Sequence, residues 1–147
     1  MNQSSARLTL QASSTTLEFD DGQRIILNVG PDDLATSVFR HAPPTPGELE
    51  HAIDIVEEAL SAAQCTHADR GDLFTTFPPL LALPGLDKPP AVLTRDAVEC
   101  LFERLTSRSH GMPVASAELP HRQDTAAALL ILRECMHHLG FNRIGVA

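Results

Sequence analysis

The sequence predicts an α+β domain in which an N-terminal antiparallel β-hairpin or small sheet packs against about four helices. Three observations support this class. Most of the short β-type runs lie in residues 8–29, apolar residues recur at helical spacing in later segments, and the stretch Thr125–Phe141 is apolar on every side of its first half. A helix of that kind must be covered on both sides, so we expect this first half at the centre of the core. The second half carries Arg133, Glu134, His137 and His138, and we expect this charged end to emerge at the surface.

Length and composition limit the possible functions. The 147 residues fit a single domain, 1–147, which needs no disulfide or metal to fold. With 19 acidic against 11 basic residues, a net charge of −8 and no Lys/Arg cluster, the chain is not expected to bind nucleic acid or an anionic membrane. No signal peptide is recognised, and the apolar run Ala126–Leu132 is too short to span a bilayer, so we expect a soluble, cytoplasmic, bacterial protein.

The β signal comes first in the chain. The runs LTLQ, TTLEF and RIILNV are rich in β-branched and aliphatic residues, and a loop at Asp20–Gln23 separates the last two. Gly22 supplies the positive φ that such a turn needs. We therefore predict a hairpin preceded by a third strand or an irregular lead-in, and a short further strand at Arg143–Val146.

Helix boundaries carry clear signals. Thr45 reads as an N-cap followed by Pro46, with Glu48 closing a capping box, and Gly140 matches the left-handed residue that ends a helix. The predicted helices are Asp32–Arg40, Pro46–Gln64, Arg95–Thr106, and a last one that starts between Pro120 and Asp124 and stops at Gly140.

Two connecting segments lack periodicity. Residues 65–93 contain five prolines, so we predict an irregular proline-rich arm whose leucines pack on the body of the domain. Residues 107–120 are predicted to form a loop with a short strand near Val114.

The histidines and cysteines suggest metal ligands. Glu-x-x-His occurs twice, at Glu48/His51 and Glu134/His137, a spacing that ferritin-like di-iron bundles use. The first pair is expected at the surface, because Glu48 already caps a helix. The metal candidates are therefore Glu134, His137 and His138, with no other cofactor predicted. The competing interpretation is that the two histidines stabilise a helix C-terminus.

Cysteine, a soft metal ligand, also occurs close to histidine at two places in the sequence. Cys65 is followed by Thr66 and His67, and Cys135 precedes His137 and His138. Cys135 is expected on the buried face of its helix, away from the histidines. The three cysteines, which include Cys100, are expected to be reduced thiols, and Cys65 is expected to be the exposed one.

The hairpin FDDGQRIIL contains an Asp-x-Gly turn at Asp20–Gly22. This turn resembles the first phosphate-binding hairpin of the actin-like ATPases and exopolyphosphatases, with Gln23 in place of their usual Ser or Thr. The resemblance implies a phosphate site at the turn. The chain is too short for the two-lobed fold of those families.

Two functional hypotheses follow. The first is a non-enzymatic interaction or accessory domain that acts as a homodimer, because Leu130 and Ile131 need a second apolar surface from the sheet or from another copy. The alternative is a small metal-binding protein or hydrolase. It would use the Asp20–Gly22 turn, or Glu134 and His137 with a loop residue such as His110 or His121.

Overall fold

The computed structural model describes residues 4–65, 68, 70–111 and 119–146. The strands are β1 (Ala6–Gln11), β2 (Ser14–Phe19), β3 (Arg24–Leu27), β4 (Asp72–Phe74), β5 (Ala91–Thr94) and β6 (Arg143–Val146). The helices are α1 (Pro31–Asp33), which continues as a π-helical turn (Leu34–Val38), α2 (Pro46–Ala62), α3 (Pro78–Leu81), α4 (Arg95–Ser109) and α5 (Gln123–Leu139).

The six strands form one mixed sheet in the order β3-β2-β1-β4-β6-β5. The N-terminal half is antiparallel, with Leu8 opposite Leu17 and Leu17 opposite Ile25. β1, β4 and β6 are mutually parallel, and β5 closes the far edge antiparallel to β6. The predicted hairpin, lead-in strand and C-terminal strand are therefore confirmed as parts of a larger sheet, and the α+β class is confirmed.

The two faces of the sheet differ in character. Alternate residues of β1 and β2, and residues of the neighbouring strands, are buried under the helices, among them Leu8, Leu17, Leu73 and Ile144, each no more than 1% exposed. The opposite face carries charged and hydroxyl side chains together with the largest exposed apolar groups of the described residues, Ile26, Phe74 and Val92. One side of the sheet is thus packed and the other open.

Helix α5 lies at the centre of the helical layer, as predicted. It packs against α1, the π turn, α2, α3 and α4, and ends at Gly140 with φ of 86°. Leu130 and Ile131 are fully buried within the single chain. They need no second copy to cover them, so this pair no longer argues for a dimer.

The helix caps agree with the sequence signals. Thr45 Oγ1 accepts a hydrogen bond from the Glu48 amide at 3.1 Å, and a Glu48 carboxylate oxygen accepts from the Thr45 amide at 3.0 Å. At the start of α4, Thr94 Oγ1 accepts a hydrogen bond from the Ala97 amide at 3.1 Å. The helix predicted at Asp32–Arg40 is instead one α-helical turn followed by a π turn that ends at Val38.

The proline-rich segment is more regular than expected. It contains β4, α3 and β5, because Leu73 enters the sheet between β1 and β6 and Pro78 opens a short helix. The prediction that its leucines pack on the body is confirmed, since Leu80, Leu83 and Leu86 are fully buried. The strand predicted near Val114 lies outside the described residues.

No described helix combines the length and the apolar character that crossing a membrane requires.

Candidate functional site

The first candidate site is the edge of the sheet where the parallel strands end. β1 and β4 are neighbours, but the chain leaves β1 toward β2 on one side and leaves β4 toward β5 and β6 on the other. In open α/β sheets a crevice forms where neighbouring strands diverge in this way, and ligands bind outside the carboxyl ends of the strands. We call this the carboxyl edge. It comprises residues 12–14, 28–33 and 75–77, which follow β1, β3 and β4.

Hydrogen bonds hold the turn after β1 against the start of α1. The Ala12 carbonyl accepts hydrogen bonds from the amides of Asp32 and Asp33 at 3.2 and 3.4 Å. Ser13 Oγ donates to Asp33 Oδ1 at 2.9 Å, and Asp33 Oδ2 accepts from the Gly30 amide at 3.1 Å. A Cβ at Gly30 would lie 2.2 Å from the Gln11 carbonyl oxygen, so only glycine permits this approach.

The chain after β4 contributes two threonines. The Thr75 amide donates to the Gly145 carbonyl at 3.1 Å, and Thr75 Oγ1 accepts from the Phe77 amide at 3.2 Å. Thr75 is buried, whereas Thr76 is exposed. The start of α5 joins the same region, since Thr125 Oγ1 donates to the Pro79 carbonyl at 3.2 Å.

The chemical character of the carboxyl edge is hydroxyl and acidic. Ser13, Thr76 and Asp32 are exposed there, and none of residues 12–14, 28–33 and 75–77 is Lys or Arg. Hydroxyls bind phosphoryl oxygens by hydrogen bonds. Carboxylates repel them unless a divalent cation lies between, as when Mg²⁺ is held by carboxylates and substrate phosphates together. Sequence reasoning missed this edge because QASST reads as ordinary turn chemistry.

The Asp20–Gly22 turn lies at the opposite edge of the sheet. It joins β2 to β3, and the Asp20 amide donates to the Ser5 carbonyl just before β1 begins. The Gly22 amide donates to the Phe19 carbonyl and the Gln23 amide to Asp21 Oδ1. Since these amides are already paired and lie away from the carboxyl ends, the geometry does not favour a phosphate at this turn.

A second candidate site lies between α2 and α5. Glu57, Glu134 and His138 each place one ligand-type atom within 4.8 Å of the others. His138 Nε2 is 3.1 Å from Glu57 Oε2 and 3.9 Å from Glu134 Oε2. Two of the three predicted metal candidates, Glu134 and His138, are thus brought together, and Glu57 is a partner that sequence reasoning missed.

Glu134 is buried, which corrects the expectation that it emerges at the surface. Its side chain is only 1% exposed, because α2 and α4 cover this part of α5. Desolvation by this burial raises the pKa of Glu134, although the charges of Arg133 and His138 oppose the increase. Arg133 Nη1 donates to Glu134 Oε2 at 3.2 Å, and Arg133 Nε donates to Glu99 at 3.0 Å.

The other histidines that the structure describes do not join either site. His137 is exposed beside His138, with ring centroids 5.1 Å apart, and takes no part in the cluster. His51 is exposed, as predicted, while Glu48 is engaged in the α2 cap. His110 and His121 are also exposed, and His67 lies outside the described residues.

The cysteines do not form a reactive site. All three are free thiols, and Cys100 rather than Cys65 is the exposed one. Burial raises the pKa of Cys135 to about 12, and desolvation raises the pKa of Cys65 despite the nearby charge of Arg70. Neither of these two thiols is activated as a thiolate.

Comparison with known proteins gives a fold but no family. No family model and no curated protein matches the sequence. The structure is similar to that of a Ppx/GppA enzyme from Aquifex aeolicus, with a TM-score of 0.73, 17% identity and 100% of this chain covered. It is also similar to an exopolyphosphatase from Cytophaga hutchinsonii, with a TM-score of 0.66, 13% identity and 99% covered.

The chain spans about half the length of these solved structures, 54% of the first and 53% of the second. At such low identity the likeness concerns the backbone and does not extend to individual residues. It nevertheless runs through the whole chain and includes both the sheet and the helical layer. The chain therefore has the fold of a domain of Ppx/GppA phosphatase structures.

Proposed function

We propose that this chain is a phosphate-binding domain of a hydrolase-type protein, and that it holds phosphoryl groups at the carboxyl edge of its sheet. The observation that carries the proposal is the fold likeness along the full chain to a Ppx/GppA phosphatase and an exopolyphosphatase. This likeness favours the hydrolase alternative from the sequence over a purely non-enzymatic interaction domain. The ligand class is a chain of phosphate groups.

The residues of the carboxyl edge support this choice of ligand. Hydroxyl groups at Ser13, Ser14 and Thr76 offer hydrogen bonds to phosphoryl oxygens without adding charge. The carboxylates of Asp32 and Asp33 are suited to bind a divalent cation that is also bound by the phosphate. Binding is therefore expected to require Mg²⁺, which distinguishes this edge from a site built on lysines and arginines.

Turnover by this chain alone is expected to be low. Phosphoryl transfer relies on cations aimed at the transferring group, and residues 12–14, 28–33 and 75–77 include no Lys or Arg. Because the chain spans about half the length of the solved structures, we propose that efficient hydrolysis needs residues from a second unit.

Calorimetric titration with tripolyphosphate tests the site. We expect binding in Mg²⁺ and little binding in EDTA. Asp32→Asn should weaken binding at least tenfold, which is about 1.4 kcal/mol. The matched control is Asp21→Asn, at the opposite edge, which should bind like the wild type. If Asp21→Asn weakens binding and Asp32→Asn does not, the ligand lies at the Asp20–Gly22 turn and the carboxyl edge is excluded.

A second candidate function, a contact domain that forms a homodimer, is favoured by the open face of the sheet. Ile26, Phe74 and Val92 are 51%, 48% and 57% exposed there. Phe74 and Val92 lie on either side of Gly145, which is paired in register with both. Light scattering checks this proposal. A dimer has twice the 15.9 kDa chain mass and should revert to monomer in Phe74→Asp, whereas a wild-type monomer would rule it out.

A further inference from the structure

We propose that Glu57, Glu134 and His138 form a binding site for one divalent transition-metal cation of the Zn²⁺ class, which would link α2 to α5. The three residues offer two carboxylate oxygens and one imidazole nitrogen. This set suits Zn²⁺ or Mn²⁺ better than Mg²⁺ or Ca²⁺, which prefer oxygen alone. The site is separate from the proposed phosphate edge.

The spacing of the ligand atoms is close to what such an ion requires. Bonds of about 2.0–2.2 Å to a tetrahedral ion place neighbouring ligand atoms on the order of 3.3 Å apart. The measured separations from His138 Nε2 are 3.1 Å to Glu57 and 3.9 Å to Glu134, and all three atoms lie within 4.8 Å. Small side-chain rotations are enough to bring them onto one ion, with water completing its shell.

An unpartnered buried atom is the independent observation that points to a ligand. Glu134 is 1% exposed, and its Oε1 has no hydrogen-bond partner among the described residues. Leaving a buried carboxylate oxygen unpaired is costly, so buried carboxylates are normally paired or bound to metal. Its other oxygen, Oε2, belongs to the cluster and accepts a hydrogen bond from Arg133. A cation that this carboxylate bound through both of its oxygens would give Oε1 the partner that it lacks.

The charges around the cluster also call for a cation. Glu57, Glu134 and Glu99 bring three carboxylates, and the guanidinium of Arg133 contacts the last two. When all three carboxylates are ionised, the single charge of Arg133 offsets one of their three negative charges. His138 lies in the last turn of α5, where the negative end of the helix dipole favours a positive ion.

The position of the cluster separates it from the carboxyl edge. Thr125 touches that edge near the start of α5, and Glu134 lies nine residues further along the same helix. At about 1.5 Å per residue this is roughly 14 Å. We therefore infer that the ion is structural and joins two helices of the core layer.

The test uses full-length protein that is purified without an affinity tag and stripped with a chelator. We expect titration with Zn²⁺ to give about one ion per chain, and Mg²⁺ to compete poorly. Glu57→Gln and His138→Ala should each lower the affinity at least tenfold. Both side chains are partly exposed, 40% and 38%, so the variants are expected to fold, which circular dichroism checks.

Matched controls come from the adjacent residues. Glu58→Gln and His137→Ala alter exposed neighbours on the same two helices and should bind Zn²⁺ like the wild type. Zn²⁺ should also raise the melting temperature of the wild type and of both controls, but not of the two cluster variants. Equal losses in His137→Ala and His138→Ala, or no stoichiometric binding by the wild type, would overturn the proposal.

Co²⁺ substitution excludes the free thiols as the origin of the signal. Coordination by nitrogen and oxygen gives no thiolate-to-cobalt charge-transfer band. Such a band would instead place the ion at a cysteine and would contradict the assignment to Glu57, Glu134 and His138.

Discussion

At the residue scale, Gly30 has the most stringent steric requirement at the carboxyl edge. Its φ of −129° is open to any residue, so the constraint is not one of backbone conformation. A Cβ here would lie 2.2 Å from the Gln11 carbonyl oxygen and 2.4 Å from that of Ala12. Because both atoms belong to the backbone, the β1–β2 turn and α1 would have to separate to make room.

We expect Gly30→Ala to destabilise the fold by about 1–3 kcal/mol, the usual cost of overpacking. The matched control is Gly47→Ala in the first turn of α2, where a Cβ meets nothing within 4 Å. That change should be neutral or stabilise by up to about 1 kcal/mol, since alanine is the better helix former. Urea unfolding of the two variants checks the pair. If Gly30→Ala and Gly47→Ala had similar stabilities, the close packing of the start of α1 against the β1–β2 turn would be contradicted.

The residue scale also shows where sequence reasoning stops. The pattern of α5 identifies Glu134 and His138 as ligand types, but it places Glu134 at the surface. The burial of Glu134 depends on α2 and α4. Glu57, the third member of the cluster, lies 81 residues before His138 in the chain. Local periodicity carries no information about such contacts. The available signal for a buried site was a charged residue, Glu134, in the C-terminal half of a largely apolar helix.

At the element scale, the N-terminus of α2 is specified locally and was predicted correctly. Burial opposes ionisation of Glu48. Hydrogen bonds from the His41 side chain and from the backbone amides of Thr45 and Arg40 more than offset it and lower the pKa to about 2. The folded protein therefore stabilises the ionised carboxylate of Glu48 relative to the same group in the unfolded chain.

The pH dependence of stability follows from this shift. A carboxyl whose pKa falls from 4.5 to about 2 on folding stabilises the fold above pH 4.5. That contribution is lost as the pH falls toward 2. We expect Glu48→Gln to be less stable than the wild type at neutral pH, with the difference shrinking as the pH is lowered through this window. Glu50→Gln, an exposed carboxylate on the same helix, is the control. A constant difference across the window would contradict the role of Glu48.

Other elements were not predictable because they depend on distant pairing. β4 has only three residues, of which Leu73 alone is fully buried. Such a short segment cannot show the alternation of apolar and polar residues that marks a strand. Its strand character comes from parallel pairing with β1 and β6. β5 follows Pro89 and Pro90, which read locally as the end of an irregular arm. Helices with caps were thus predictable, whereas the two short strands of the proline-rich segment, β4 and β5, were not.

At the scale of the whole molecule, the proposed location of the phosphate site rests on the order of the strands in the sheet. The sequence suggested the Asp20–Gly22 turn, whereas we propose the opposite edge, where β1 and β4 diverge. The fold likeness to Ppx/GppA structures agrees with a phosphate ligand but does not identify residues, given 17% identity or less. The location of the phosphate site therefore needs a direct test.

Amide chemical shifts of ¹⁵N-labelled protein, recorded during titration with tripolyphosphate and Mg²⁺, test that location most directly. We predict that the residues whose shifts change will cluster at Ala12–Ser14, Asp32–Asp33 and Thr75–Thr76, while Gly22 and Gln23 stay unchanged. Changes confined to Asp20–Gln23, or no saturable change at the carboxyl edge, would contradict the account.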